Sequence, residues 1–401
     1  MDFTMSKRAE DLSATVRRFI DEVVIPYEGR EDSDHLPDEL ISEMRQKARD
    51  WGIYTPHLPV ELGGQGLSHV ETAAVFMAAG RSLLGPVALN CAAPDEGNMH
   101  LLWKTANDEQ KGRYLRPLVE GKFRSCFGMT EPAQGVGADA SMVKSTAVRD
   151  GDEWVLNGHK WFTTGAMGAG FCIFAAVTNP KVKAHEGVSL FLVPMNTPGF
   201  TVKRMVPVLG THGPGGHCEM VIENVRVPQS AMLGKEGEGF KLMQVRLGPA
   251  RLTHCMRWIG AAERALDLMA HRALEREAFK VKLADHQNTQ WSVADSVMDL
   301  HTAKLVTLHA AWLLDQGSEA REETSMAKLY ASEAVNRVFD RAVQVMGGLG
   351  YSGDTPVERF FREGRAFRIY DGPSEVHRMV IARNFFRQIA RNPPKVNWVR
   401  F

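Results

Sequence analysis

After residue 237 the chain is dominated by four long segments whose apolar side chains recur at the helical period. In the first, the apolar positions repeat at three-, four- and seven-residue steps along one helix face: Leu252, Met256, Ile259, Leu266 and Met269. The other three segments are WSVADSVMDLHTAKLVTLHAAWLL, SMAKLYASEAVNRVFDRAVQVM and PSEVHRMVIARNFFRQIA. Long helices joined by short polar connections predict an antiparallel four-helix bundle, which we assign to residues 236–401.

The preceding segment, residues 126–235, is predicted to be a small β domain, either a barrel or a sandwich. Short β-type runs such as FCIFAAVT, VSLFLVPM and HCEMVIENVRVP are separated by proline and glycine. In WVLNGHKWF, β-type residues flank Asn157-Gly158, the pair that favours a type I′ hairpin turn. We therefore expect a hairpin at that pair.

Residues 1–125 are predicted to be a mostly helical domain. LSATVRRFIDEVVIPY and HVETAAVFMAAGRSLL have helical spacing, whereas HLPVELGGQGLS between them is a loop because of its proline and glycines. No G-x-G-x-x-G follows a β-strand pattern, so a Rossmann-type dinucleotide site is not indicated. The predicted fold is thus α+β and multidomain, in keeping with a chain of 401 residues.

The overall composition argues against several classes of partner. Basic and acidic residues balance at 48 each, which removes the electrostatic reason to expect nucleic acid or an anionic membrane. Five scattered cysteines without a CxxC pair are typical of a reducing compartment. No secretory or transit signal is evident, and no run reaches the ~20 apolar residues of a membrane span. We expect a cytoplasmic protein.

Two segments of the β domain could bind a ligand. GMTEPAQGVGADAS, residues 128–141, could present backbone N–H groups beside Thr130, although a strand-ending loop is the simpler local interpretation. KWFTTGAMGAG, residues 160–170, sets aromatic rings beside hydroxyl groups, as a flat heteroaromatic ligand would require, but an ordinary strand is again simpler. His212, His217 and Cys218 lack the paired spacings of a structural zinc site, so we assign no metal.

A third segment, FRIYDGPSEVHR at residues 367–378, contains an aspartate whose role is open on local grounds. Asp371-Gly372 is a turn pair, and Ser374 can cap the helix that follows. The same carboxylate could instead be a base next to a substrate.

Together these segments resemble the acyl-CoA dehydrogenase family of flavoproteins. The similarity extends over nearly the whole chain, through LPVELGGQGL, MTEPAQGVGAD, VLNGHKWFTTGA, ALEREAFKVKLADHQ and VQVMGGLGYSGDTPVERFFREGRAFRIYDGPSEVHRMVIAR. LFLVPMNTPG, VRLGPARLTHCMRWIGAAERAL and DGPSEVH are similar to the branch that contains acyl-CoA dehydrogenase family members ten and eleven. The resemblance implies the same three-domain order and FAD-dependent oxidation of an acyl-CoA to a 2-enoyl-CoA, a β-oxidation step.

The resemblance also implies how FAD binds, with its isoalloxazine between the β domain and the bundle. The residues implied to line the isoalloxazine are Phe127, Met129, Thr130, Phe162, Thr163 and Thr164, the last three near N5. Those implied to bind the adenosine half, from a neighbouring subunit, are Arg276, Phe279, Gln287, Gln344, Gly347 and Gly348. A homodimer or homotetramer is therefore expected, with an electron-transfer flavoprotein as the electron acceptor.

Asp371 stands where the family's catalytic glutamate usually stands. In that role it removes the α-proton of the acyl thioester while the β-hydrogen leaves as hydride to flavin N5, and Arg251 and Gly372 lie on the substrate side. Some branches place the base one residue before the bundle arginine, but here that residue is Ala250, which cannot accept a proton. The side chain of aspartate is one methylene shorter than that of glutamate, which sets its carboxylate back by more than ~1 Å. We therefore expect a substrate with a substituted acyl chain, branched or hydroxylated, or a longer one.

Other positions depart from the family's pattern. Ala138 replaces a serine that contacts CoA, and Pro373 and Glu375 replace a threonine and a glutamine that usually contact the cofactor. A glutamate beside a pyrophosphate would be repulsive, so we expect that contact to be lost. Two alternatives stay open: a nitroalkane-oxidase-like flavoprotein, which also uses an aspartate base, and a flavin-free scaffold that has lost its chemistry.

Overall fold

The computed structural model describes residues 5–30, 37–209 and 213–393. Its N-terminal part is helical, as predicted, and the main helices are α1 (Lys7–Phe19), α2 (Asp38–Asp50), α3 (His69–Ala79) and α4 (Asp95–Thr105). A capping box starts α3: the Ser68 hydroxyl accepts from the Glu71 N–H, and the Glu71 carboxylate accepts from the Ser68 N–H. The glycine-rich segment before it is a loop, as expected.

The middle of the chain forms one mixed β-sheet, which confirms the predicted β domain. Its strands are β1 (Arg124–Gly128), β2 (Thr146–Asp150), β3 (Glu153–Thr164), β4 (Ala169–Val177), β5 (Val188–Pro194), β6 (Phe200–Met205), β7 (His217–Pro228) and β8 (Met232–Leu233). The order is β6-β7-β3-β2-β4-β5-β8, and β1 runs parallel to β4.

The hairpin predicted at Asn157-Gly158 is wrong. Both residues lie inside β3, where the pairing with β7 shifts register between Leu156 and Gly158. The Asn157 side chain accepts a hydrogen bond from the Asn224 N–H (2.8 Å), and a Cβ at Gly158 would lie 2.2 Å from the Ser145 Oγ. This glycine is therefore required for close packing. The turn between β2 and β3 lies instead at Gly151–Asp152, where Gly151 has a φ of +61°.

The C-terminal part contains the predicted bundle, whose core helices are long. Its helices are α5 (Gly239–Glu275), α6 (Gln287–Asp315), α7 (Arg321–Met346), α8 (Val357–Arg365) and α9 (Ser374–Arg391), with a short hairpin of β9 (Glu277–Ala278) and β10 (Val281–Lys282) between α5 and α6. Among the described residues, no helix has both the length and the apolar character that crossing a membrane requires.

Helix α5 connects the three parts of the molecule. Leu252 and Met256 pack into an apolar core shared with α1, α2 and α3, while Ile259 and Met269 pack in the bundle core with α7. The first turns of α5, through Leu242 and Met243, join a third core that also contains residues of α4 and the sheet. The N-terminal half of α5 therefore lies where all three domains meet, and the segment that contains Asp371 packs against it.

Candidate active site

The turn that carries Asp371 is held through its backbone by two cationic side chains. Asp371 has a φ of +53°, in the left-handed region that non-glycine residues rarely adopt. The Arg251 Nε of α5 donates to the Asp371 carbonyl (2.9 Å). From α7, the Lys328 Nζ donates to the carbonyls of Phe367 (2.6 Å) and Gly372 (3.1 Å), and burial lowers the pKa of Lys328 to about 8. Helices α5 and α7 thus fix Asp371 in an unusual backbone conformation.

The Asp371 side chain points into the protein, 18% exposed, towards His254 of α5. The His254 Nε2 lies 3.3 Å from the Asp371 Oδ2, at the long end of a hydrogen bond. Burial, and then the charge of Arg257, lower the pKa of His254, so we take its imidazole as neutral. A neutral imidazole can donate from Nε2, and the position of the carboxylate assigns the proton to that nitrogen.

The surroundings of Asp371 keep its carboxylate ionised. Burial alone would raise the pKa of Asp371, but the hydrogen bond from His254 and the charges of Arg246 and Arg251 hold it well below its ordinary value. An ionised carboxylate at neutral pH is the form that a general base needs.

Arg246 extends this cluster to the β domain. Its Nε donates to the Asn98 Oδ1 of α4 (2.8 Å), and its guanidinium carbon lies 4.4 Å from the ring centroid of Phe127 in β1. Asn98 in turn donates to the Oγ of Ser125 (2.9 Å), which lies two residues before Phe127 in β1. A predicted isoalloxazine residue and the cations around Asp371 are therefore neighbours.

The segment 161–164 offers unpartnered polar atoms beside an exposed ring. Phe162 has a φ of +50° and is 44% exposed. The Thr163 Oγ1 and the Trp161 Nε1 are buried, and neither has a hydrogen-bond partner within the described ranges. The Thr164 Oγ1 lies 2.9 Å from the His217 Nδ1. Orphaned donors next to an aromatic face fit a flat heteroaromatic ligand such as the isoalloxazine.

The loop with Met129 and Thr130 is held beside this segment by a buried ion pair. The Trp161 N–H donates to the Thr130 carbonyl (2.8 Å). The Lys160 Nζ lies 2.7 Å from the Glu131 carboxylate and also donates to the Met129 carbonyl (3.3 Å); its side chain is fully buried. Glu131 accepts further hydrogen bonds from the Lys144 and Ser145 N–H groups. Glu131 is therefore a structural residue of this loop.

The residues implied to bind the adenosine half lie at the ends of the bundle helices, away from the middle of α5. Arg276 ends α5, Gln287 begins α6, and Gln344 lies in the last turn of α7. Phe279 lies in the β9–β10 turn with a φ of +54°, and Gly347, with a φ of +62°, precedes Gly348. At both glycines a Cβ would meet nothing within 4 Å, which leaves the backbone open to a ligand.

Two further expectations are settled or limited by the structure. The cap predicted at Ser374 is wrong, because Pro373 is the N-cap and the Ser374 hydroxyl donates to the Glu333 Oε1 of α7 (2.6 Å). Of the three residues for which no metal site was predicted, His212 lies outside the described residues, His217 contacts Thr164, and the Cys218 thiol donates to the Gly215 carbonyl (3.3 Å).

Three side chains of this cluster were not predicted from the sequence: Arg246, His254 and Lys328. Arg246, Ala250 and His254 follow one another at four-residue steps, so one face of α5 presents all three. This spacing is the sequence signal for the site: Arg246 and His254 lie four residues on either side of Ala250, the residue before the bundle arginine Arg251. Lys328 interrupts the apolar face of α7, and a lysine there already points to a buried partner.

Two clefts lie outside this cluster. One, of about 220 Å³, is lined by Tyr114, Leu192 and Ala231 among others and does not include Asp371. The other, of about 200 Å³, includes Pro94, Gly165 and Trp258, whose indole donates to the hydroxyl of Tyr370. The second cleft therefore reaches Trp258, which is hydrogen-bonded to Tyr370, the residue before Asp371. The charged groups described above converge at Asp371, which lines neither cleft.

Comparison with known sequences identifies the family. Models of the acyl-CoA dehydrogenase N-terminal, middle and C-terminal domains match residues 6–122, 126–225 and 237–386. The chain belongs to the acyl-CoA dehydrogenase family. This confirms the resemblance and the three-part fold, while the predicted domain bounds at 125/126 and 235/236 stay predictions.

Relatives of this acyl-CoA dehydrogenase support the assignment. It is 43% identical over 396 residues to the "Probable acyl-CoA dehydrogenase FadE2" of Mycobacterium tuberculosis, covering 96% of each chain. It is 39% identical to acyl-CoA dehydrogenase family member 10 of Mus musculus over 93% of this chain and 37% of that protein. With human family member 11 it shares 36% identity over 97% of this chain and 52% of that protein. The chain thus spans about half of family member 11, and less of member 10.

Solved structures agree with the fold and with the cofactor. Butyryl-CoA dehydrogenase from Megasphaera elsdenii matches with a TM-score of 0.86 at 29% identity, covering 96% of this chain and 100% of that one. A glutaryl-CoA dehydrogenase from Mycobacterium smegmatis, in complex with FADH2, matches with a TM-score of 0.84 at 27% identity, covering 95% of each. The protein is an FAD-dependent oxidoreductase, and the site residues fit that cofactor.

Proposed function

We propose that this acyl-CoA dehydrogenase oxidises an acyl-CoA thioester to the 2-enoyl-CoA, with the Asp371 carboxylate as the base that removes the α-proton. The observation that carries the proposal is the environment of Asp371: a partly buried, ionised carboxylate that accepts from His254 and lies near the charges of Arg246 and Arg251. A carboxylate held in this form can accept a proton from a carbon acid that is positioned next to it.

FAD, when bound, supplies the hydride acceptor for the β-hydrogen at N5. The residues proposed to hold its isoalloxazine are those around the two segments described above: Phe127, Met129, Thr130, Phe162, Thr163 and Thr164. The residues proposed to hold its adenosine half, from a second subunit, are Arg276, Phe279, Gln287, Gln344, Gly347 and Gly348. The unpartnered Thr163 hydroxyl and Trp161 N–H support the first set.

On the substrate side we place Arg251 and Gly372. Arg251 fixes the carbonyl of the base through its Nε, and Gly372 has a φ of +103° and a carbonyl held by Lys328. Together they orient the turn so that the Asp371 carboxylate faces the thioester. Because the base is an aspartate, its oxygen reaches less far than that of a glutamate, and a misplacement of about 1 Å can cost on the order of a hundredfold in rate. We therefore propose a substrate with a substituted or longer acyl chain.

The decisive experiment is a panel of acyl-CoAs tested by anaerobic bleaching of the bound flavin. Asp371→Asn removes the base while retaining the size of the side chain, and we expect flavin reduction to fall by a factor of about 10² to 10⁴. Asp371→Glu retains a carboxylate and serves as the matched variant with measurable activity. FAD content and unfolding temperature verify that each variant is folded. Unchanged reduction in Asp371→Asn would rule out the proposed base.

The same assay separates the electron acceptors. We propose an electron-transfer flavoprotein as the acceptor, on the strength of family membership, and we propose that a homodimer or homotetramer is the active form. A dehydrogenase should be reduced by acyl-CoA and reoxidised slowly by oxygen. Fast reoxidation by oxygen, with reduction by a nitroalkane, would favour the nitroalkane-oxidase alternative instead.

A further inference from the structure

Arg246 is a buried cation with no carboxylate in direct contact among the described residues. Only 8% of the residue is exposed. Within the described ranges its guanidinium forms no ion pair, and its one hydrogen bond runs from Nε to the neutral Asn98 Oδ1. Arginines buried to this degree are usually paired, because a desolvated charge is costly unless an opposite charge meets it.

The nearest carboxylates are already engaged by other groups. Asp95 accepts from the N–H (2.8 Å) and the hydroxyl (2.6 Å) of Ser125. Glu96 accepts from the Thr253 hydroxyl (3.0 Å) and lies 3.6 Å from the Arg257 Nη1. Asp371 accepts a hydrogen bond from the neutral His254, and its backbone carbonyl accepts from Arg251. These three carboxylates attract Arg246 only at longer range, while burial lowers its pKa.

The position of Arg246 places this unpaired charge along the expected path of an acyl chain. Its guanidinium lies over the ring of Phe127, on the proposed cofactor side, and its charge acts on Asp371 on the base side. Small residues flank it: Ala250 one turn along α5, and Gly97 opposite on α4, where a Cβ would lie 3.5 Å from Arg246 and 3.6 Å from Ala250. A substrate whose α-carbon lies next to Asp371 would pass between the two sides.

We infer that Arg246 binds a carboxylate on the acyl chain, so that the preferred substrates are CoA thioesters of dicarboxylic acids. This inference rests on the proposed function and narrows it to one class of substituent. The guanidinium fork matches a carboxylate with two parallel N–H···O bonds, which a methyl group or a hydroxyl cannot replace. The negative end of the chain lies at Arg246 and the thioester end at Asp371, so the like charges of substrate and base stay apart.

The test compares acyl-CoAs that differ only in a terminal carboxylate or methyl group. The pairs are succinyl- and butyryl-CoA, glutaryl- and valeryl-CoA, and adipoyl- and hexanoyl-CoA, each followed by flavin reduction. In the wild-type enzyme we expect kcat/KM for at least one dicarboxylic member to exceed that of its neutral partner about tenfold or more. If the neutral member is preferred in every pair, the inference is wrong, and this result needs no variant.

Variants then assign the preference to Arg246. Because Arg246 also acts on the base, the informative quantity is the ratio of kcat/KM within a pair, in which any effect on Asp371 cancels. We expect Arg246→Met to lower that ratio about 10- to 100-fold, as the loss of a charge-assisted hydrogen bond predicts. Arg246→Lys keeps the charge and should retain part of the ratio. An unchanged ratio in Arg246→Met would overturn the assignment.

A binding measurement provides a second readout that does not depend on turnover. In an Asp371→Asn background, the dissociation constants of the dicarboxylic and neutral thioesters are measured from the perturbed flavin spectrum. Arg246→Met should weaken the dicarboxylic member selectively. The outcomes also separate the two proposals: if no acyl-CoA bleaches the flavin, the proposed function fails. If neutral acyl-CoAs bleach it and a carboxylate brings no advantage, only the dicarboxylate inference fails.

Discussion

His254 connects the conformation of Asp371 to its chemistry. The turn is fixed by Arg251 and Lys328 through backbone carbonyls, but these bonds leave rotation about the Asp371 side chain open. The imidazole of His254, 3.3 Å from Oδ2, is the group that restrains that rotation. His254 is therefore a positioning residue: it holds the shorter carboxylate of aspartate in one orientation and favours its ionised form.

Replacing His254 should change the pH dependence of catalysis. Asp371 must be ionised to accept a proton, and the His254 N–H contributes to its lowered pKa. In His254→Phe the pKa of Asp371 rises, so the acidic limb of the kcat profile for flavin reduction should move up by about 1 to 2 pH units. Because the pKa of Asp371 lies below the ordinary range of an aspartate, the shift is measured by stopped-flow reduction from pH 7 down to the lowest pH at which both proteins stay folded.

The control for this prediction is His254→Gln, whose amide retains a donor. Its acidic limb should stay nearer to that of the wild type, whereas a purely structural role would lower the rate in both variants without moving the limb. Coinciding profiles for His254→Phe and the wild type would contradict the role given to His254.

At the scale of elements, periodicity identified the helices, and close packing decided what periodicity could not. Three of the four bundle segments, α5, α6 and α7, place apolar residues in the bundle core, whereas α9 packs against α7 and buries only Ser374 and His377. The turn predicted at Asn157-Gly158 was wrong because turn propensity is a local property. Gly158 is instead required by the close approach of Ser145 from the adjoining segment. The helix cap predicted at Ser374 was wrong for the same reason, because the Ser374 hydroxyl donates to Glu333 of another helix. Contacts distant in sequence decided both positions.

The buried pair Lys160–Glu131 joins β3 to the loop of Met129 and Thr130, and its loss should lower the stability of the domain. Lys160→Met leaves the Glu131 carboxylate buried without its counter-charge, so the free energy of unfolding should fall by about 3 to 5 kcal/mol. Urea denaturation followed by circular dichroism measures this. Adding Glu131→Gln removes the stranded charge and should recover part of the loss.

A matched control is the exposed pair Lys7–Asp11, where 81% of the Lys7 side chain is accessible. Lys7→Met should change the free energy of unfolding by less than about 0.5 kcal/mol. If the two lysine variants lose similar amounts of stability, the buried pair is not the structural link proposed here.

At the scale of the whole molecule, the site is assembled from segments that the sequence separates widely. Asn98, Phe127, Arg246 and Asp371 belong to four different elements, yet hydrogen bonds, ring contacts and charges connect them around the middle of α5. The family resemblance pointed to Phe127 and Asp371. The roles of Arg246 and Lys328 depend on which partners lie opposite each helix face, and one sequence does not contain that information.

The outer face of α6 is one feature that a single chain leaves unexplained. Trp291, Met298 and Leu305 recur at seven-residue steps, so they form one exposed apolar stripe; Trp291 and Met298 are 61% and 62% exposed. Phe279, in the turn before α6, is 92% exposed. Contiguous exposed apolar surface is typical of contacts with another protein chain. A second copy is the partner that the adenosine-binding proposal requires.

We therefore predict that Trp291→Glu/Met298→Glu lowers the oligomeric mass and, with it, the FAD content per chain. Charges on the stripe oppose association, and a separated chain would lose the Arg276 and Phe279 that its neighbour is proposed to supply. Light scattering with flavin absorbance measures both quantities. Val60→Glu, at an apolar position 69% exposed on the N-terminal domain, is the control and should change neither. A monomeric wild type with full FAD, or a double variant that dissociates but keeps its FAD, would show that each chain binds the whole cofactor alone.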